Sequence, residues 1–129
     1  MKNYMSKLFA RCSFVEKFVI CQGGLAKFHI IRDTLRNVSV NELIVRGLMQ
    51  IDPMITQVIL DFICVHSVQN LHVYFNRVIS SVSWSALEPD IHEFLKICAP
   101  LPSSVSLHFH DILITYHRAH ICYNLSRYL

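Results

Sequence analysis

The sequence predicts an α/β (or α+β) fold, a small two-layer domain with an N-terminal β-hairpin, two central helices and a C-terminal strand-helix-strand (βαβ) unit followed by a helix. Three observations carry this reading. Apolar and polar residues alternate from Asn70 to Val78 and again from Ser104 to Ile112, the period of a strand with one buried face. Between them, Glu88-Pro89-Asp90 opens a segment in which Ile91, Phe94, Leu95 and Cys98 recur at helical spacing until Pro100 and Pro102 end it. The connection is long enough for the two strands to lie parallel, joined by a right-handed crossover.

Taken in order, Phe14 to Cys21 and Leu25 to Arg32 are β-favouring runs joined by Gln22-Gly23-Gly24, whose glycine pair would supply the positive φ of a tight hairpin turn. Ser39 stands as an N-cap with Glu42 as its capping-box partner. Leu43, Ile44, Leu48 and Met49 continue a helical pattern, against which Val38, Val40 and Val45 favour a strand. Asp52-Pro53 is a second helix start, followed by Ile55, Val58, Ile59 and Phe62 at i, i+3, i+4 and i+7. The two later strands turn Leu71, Val73, Phe75, Val105, Leu107 and Phe109 toward the helix. They leave His72, Tyr74, Ser106, His108 and His110 on the opposite face. A last helix is expected from Thr115 to Tyr128, with Tyr116, Ala119, Cys122 and Tyr123 inward.

The 129 residues suffice for one domain, 1–129. With 53% hydrophobic and 16% charged residues, the chain is too apolar to stay unfolded. The net charge of +3 comes from 12 Lys and Arg interleaved with 9 Asp and Glu, so no basic stripe marks a nucleic-acid footprint. The most apolar window, Met54 to Phe75, contains Asp61, His66, Gln69, Asn70 and His72 and reads as core rather than as a membrane span.

Five cysteines at wide, irregular spacing form neither a CxxC pair nor a zinc signature, and the apolar neighbours of Cys64 and Cys98 mark buried, reduced thiols. Lys2, Lys7 and Arg11 precede an apolar stretch, but Glu16 and Lys17 interrupt it and no small-residue cleavage site follows, so no signal peptide is read. Together these features imply a reducing compartment, cytoplasmic or nuclear. On the same grounds, the triplets Asn37-Val38-Ser39 and Asn124-Leu125-Ser126 are not read as glycosylation sites.

No sequence pattern supports catalysis. There is no GxSxG, no HExxH and no phosphate-binding loop around Gly23-Gly24, and Glu88, Asp90 and Glu93 sit where a helix N-terminus favours acids. The expectation is therefore a protein that is not an enzyme and needs no cofactor. His108, His110, His117 and His120 form the one dense group of potential metal ligands, and a His-rich metal-binding protein is the first alternative. Few charges over so apolar a composition leave apolar surface exposed, which favours association. The leading expectation is thus a protein-protein interaction protein, accessory or adaptor in kind, that self-associates. Its candidate contact residues are Trp84 in the polar Ser80–Ser85 loop, Tyr116, Tyr123, Tyr128, His72 and Tyr74.

Two segments of similar pattern, from Phe62 and from Phe94, suggest a helix-strand repeat, and Val68 to Val78 fits the spacing LxxLxLxxNxL of leucine-rich repeats. Looser matches begin at Val15 and Leu25, out of phase with any period, so the spacing names no family. A fragment of such a repeat protein is a further alternative. So is a recently arisen or overlapping-frame product without tuned function, on its abundant Ser, Cys, His and Phe.

Overall fold

A computed structural model describes residues 13–35, 37–76, 81–117 and 120–125. The chain runs β1 (Phe14–Cys21), α1 (Gln22–Leu25), α2 (Phe28–Thr34), β2 (Ser39–Leu48), α3 (Pro53–His66), β3 (Asn70–Phe75), α4 (Ser81–Cys98), β4 (Ser104–His108), β5 (Ile112–His117) and β6 (His120–Leu125). The fold is mixed α/β. The six strands among the described residues form one sheet in chain order, parallel from β1 to β4 and antiparallel from β4 to β6. Each parallel pair is joined through helix, and successive right-handed crossovers that advance in one direction put every helix on the same face.

The predicted βαβ unit is β3-α4-β4, with Leu71, Val73, Val105 and Leu107 fully buried beneath the helices. The predicted helix at Asp52-Pro53 is α3. The Asp52 carboxylate accepts a hydrogen bond from the Ile55 amide at 2.7 Å, satisfying an orphan donor of the first turn.

Four local readings are corrected. The N-terminal hairpin is absent, because residues 22–34 are helical and β1 pairs parallel with β2. Neither Gly23 nor Gly24 has positive φ, and Leu25, Phe28 and Leu35 are buried at a helical period with Ile31 beside them. The Ser39–Glu42 capping box is not a helix start but the beginning of β2. β2 buries Leu43 and Val45 beneath the helices and Ile44 between its register neighbours Val19 and His72 on the other face, so three successive residues are buried and the period of two is erased. The helix placed at Glu88-Pro89-Asp90 begins at Ser81 and runs through Pro89. Leu87, Ile91, Phe94, Leu95 and Cys98 are all buried, so apolar contact offsets the hydrogen bond that proline forfeits. Finally, the last helix is the β5–β6 hairpin. β4 stops at His108, where the Phe109 amide bonds the Ile112 carbonyl at 2.9 Å and the chain turns back.

The core lies between the helices and aligned rows of the sheet. Leu43, Leu71 and Val105 share one register row, and Val45, Val73, Leu107 and Ile114 the next. Phe62 of α3 is the hub, with ring centroids 5.6 Å from Phe18, 5.5 Å from Phe28 and 4.4 Å from His66. Burying a side chain of this kind contributes about 2 kcal/mol before packing terms. His66 donates Nδ1–H to the Val38 carbonyl at 3.0 Å, while its buried Nε2 has no partner. Burial lowers its pKa, the Val38 bond opposes that and Arg32 reinforces it, so the ring is neutral in the fold. Cys98 is buried and its thiol is pushed up to about 12, mainly by burial and also by Cys64. Cys64 is itself exposed, contrary to its apolar sequence context.

Helix α3 ends on Ser67 in the left-handed region, φ 50° and ψ 48°, a conformation that glycine adopts without a Cβ penalty. Replacing Ser67→Gly is expected to raise stability by about 0.5–1 kcal/mol, and Asp52→Ala to lower it by about 1 kcal/mol, both read from urea midpoints.

Candidate functional site

The sheet face opposite the helices carries no further element among the described residues, and its side chains are set by strand alternation. β2 contributes Glu42, Ile44 and Arg46, β3 contributes His72 and Tyr74, and β4 contributes Ser106 and His108. The row Val19, Ile44, His72, Ser106, Thr115 crosses five strands, and Ile44 is only 7% exposed although it lies outside the helix-side core.

Polar contacts chain across this face. Glu42 Oε1 lies 3.2 Å from His72 Nε2, and His72 Nδ1 lies 3.1 Å from His108 Nε2. With the carboxylate accepting from His72 Nε2–H, His72 Nδ1 is placed to accept from His108 Nε2–H. The two imidazoles meet edge to edge, with centroids 5.4 Å apart. The Tyr74 ring stacks on His108 at 4.0 Å and 8°, and the Arg46 guanidinium lies 5.4 Å from the Tyr74 centroid. Carboxylate, two imidazoles, phenol and guanidinium thus form one continuous line. The His108 pKa is lowered to about 4, first by burial and then by His72, so His108 is neutral at pH 7.

Beside Arg46 the backbone departs from regular pairing. Val45 is in register with Val73 and Leu48 with Phe75, so β2 holds one residue more than β3 in this interval, a bulge. Gly47 takes φ +78° there, and a Cβ on it would meet nothing within 4 Å, so conformation rather than space demands the glycine. The bulge borders a 340 Å³ cleft at the C-terminal ends of β2, β3 and β4, lined by Arg46, Tyr74, Asn76, His108, Phe109 and His110 among others. Two further cavities lie among the helices. One of 520 Å³ has Phe28, Arg32, Met54 and Asp61 in its walls, and one of 240 Å³ has Asp52, Asp90 and Glu93.

Of the residues expected to contact partners, His72 and Tyr74 come together with His108 on this face. Tyr116, Tyr123 and Trp84 lie on other parts of the backbone. Tyr116 packs against the helix-side core in register with Val105, Tyr123 is the β6 register partner of Ile114, and Trp84 lies near the start of α4 rather than in a loop. Tyr128 lies outside the described residues.

The four histidines of the metal reading are also separated. His108 pairs with Leu113 and His117 with Ser104, which sets the two at opposite ends of the β4–β5 ladder. His117 and His120 face each other in register across the terminal hairpin, and His110 lies in the β4–β5 turn. Among the described residues no group of three or more His, Cys, Asp or Glu is placed to hold a metal ion.

Glu42 and Arg46 were not visible as site residues because their segment reads as a helix start. A strand reading of β2 would have aligned them with Ile44 on one face. No protein-family model, curated protein or solved structure matches the chain.

A histidine held neutral in the fold titrates later than its unfolded counterpart. The unfolded chain therefore takes up the proton first, and stability falls as pH drops from about 6.5 towards 4. His66 acts with the same sign. In His108→Gln the loss of stability between pH 7 and pH 4 is expected to shrink by about 1–2 kcal/mol, measured as the difference between urea midpoints at the two pH values. An unchanged difference would show that His108 is not held neutral.

Proposed function

We propose that the protein is a non-enzymatic interaction module, accessory or adaptor in kind, which engages a protein partner through the helix-free face of its sheet and also self-associates. One observation carries this reading: a face crossing the strands presents aromatic, imidazole and charged groups in fixed mutual geometry, with no layer over it among the described residues. Stacked aromatics backed by hydrogen bonds are pre-organised, so a partner meets them at small entropic cost. A parallel strand is also preceded by helix about every thirty residues, as in helix-strand repeat arrays. That spacing favours a second reading, a segment of such an array, which would use the same face.

A reducing compartment, cytoplasm or nucleus, suits the free thiols Cys21, Cys64 and Cys98. No helix among the described residues is long and apolar enough to cross a membrane.

The test compares the wild-type chain with Tyr74→Ala on the open face and with Met54→Gln, a control at an exposed position of α3. Affinity capture with quantified partners is read beside light scattering for self-association. Capture is expected to fall at least tenfold in Tyr74→Ala and to persist in Met54→Gln. Equal capture by all three chains, or none by any, overturns the reading.

A further inference from the structure

We propose that the cleft at the C-terminal ends of β2–β4 is an oxyanion site, in which Arg46 clamps a carboxylate or phosphate carried by the protein partner. The inference rests on the reading of the open face as a docking surface and names the chemistry of what docks there.

Charge is the first argument. Arg46 has no ion-pair partner among the described residues, and no acidic residue lines the cleft. The nearest carboxylate in the polar chain, Glu42, is engaged by His72. A guanidinium without a carboxylate, beside the amide of Asn76 and the imidazole of His110, is a set of donors awaiting an acceptor, while His108 spends its one N–H on His72 and serves as the stacking support of Tyr74.

Position is the second. Arg46 is exposed, yet it is not a free surface arginine, because its guanidinium lies over the Tyr74 ring, which stacks on His108. The bulge at Gly47 directs the strand at this point. A guanidinium lodged on an aromatic face keeps its planar edge of N–H donors available, and that edge matches the two oxygens of a carboxylate or phosphate. A lysine would supply charge without the fork.

Size is the third. At 340 Å³ the cleft lies at the small end of ligand sites, enough for one acidic side chain and little of its backbone. It opens onto the same face as His72 and Tyr74, so a partner segment lying across the sheet would bring an Asp, Glu or phosphoserine into it.

The test uses N-acetyl-glutamate amide and N-acetyl-phosphoserine amide as probes, titrated into the full-length protein and followed by amide NMR shifts. N-acetyl-glutamine amide is the uncharged control. Saturable shifts are expected at Arg46, Tyr74 and residues 108–110 with at least one acidic probe, and none with the control. Arg46→Gln should weaken binding at least tenfold and Arg46→Lys by an intermediate factor, while the Ile114 and Leu71 amides stay unshifted to confirm an intact fold.

A preference for phosphoserine assigns a phosphorylated partner, and equal affinity assigns an acidic one. No saturable binding by either probe, or binding that survives Arg46→Gln, overturns the oxyanion site. The two readings fail separately. If partner capture depends on Tyr74 while neither probe binds, only the oxyanion site falls. If the probes bind while no partner is captured, only the docking reading falls.

Discussion

A crossover between adjacent parallel strands has one favoured hand, and that restriction governs the whole molecule. Where a chain reverses direction along its sheet, helices fall on both faces and a crevice opens at the reversal. Here the strands are laid down in chain order without reversal, so α1 to α4 must share one side. The apolar residues then divide unequally. One face of β2, β3 and β4 buries Leu43, Val45, Leu71, Val73, Val105 and Leu107, and the other, Ile44 apart, keeps side chains that are polar or aromatic. The line from Glu42 to Arg46 is thus a product of topology, and no single motif marks it.

That line also shows how a half-exposed face stays ordered without a second layer. Each group constrains its neighbour: Glu42 fixes the tautomer of His72, His72 orients His108, and Tyr74 stacks on His108 with Arg46 over its ring. Ile44 seals the floor between Val19 and His72. The neutral state of His108 follows from crowding beside a second imidazole in a partly desolvated place.

Much of this was legible in the sequence wherever the signal was local and one-sided. Asp52-Pro53 marked a helix because a cap and a proline act within one turn. The alternation around His72 and His108 marked strands with one wet face and assigned the two faces of β3 and β4 correctly, whereas His110, placed on the same face, lies in the β4–β5 turn. Three segments were illegible for physical reasons. In β2 the apolar run Leu43-Ile44-Val45 lacks alternation because Ile44 is packed among its strand neighbours on the open face, and Ser39 with Glu42 imitates a capping box. Across α1 and α2 the burial of Leu25, Phe28 and Leu35 has helical spacing, but Ile30-Ile31 locally favours a strand. At the C-terminus β5 and β6 pair antiparallel over a segment whose apolar spacing reads as helical. Two of the five members of the polar line were hidden as a result, since Glu42 and Arg46 align with His72 only once β2 is known to be a strand.

Strand order in register with chain order also bears on how the molecule assembles. Each parallel strand pairs with the one made just before it, so ring closure never spans more than one strand-helix unit, and its entropy grows only as the logarithm of that modest length. A sheet threaded with distant strands would have to wait for its far end. This one can grow from either edge, each unit docking on a neighbour already in place, as linear arrays do. The antiparallel β4–β5–β6 segment closes over the shortest loops and is the most local part of the sheet, which makes it the natural seed from which the parallel strands extend.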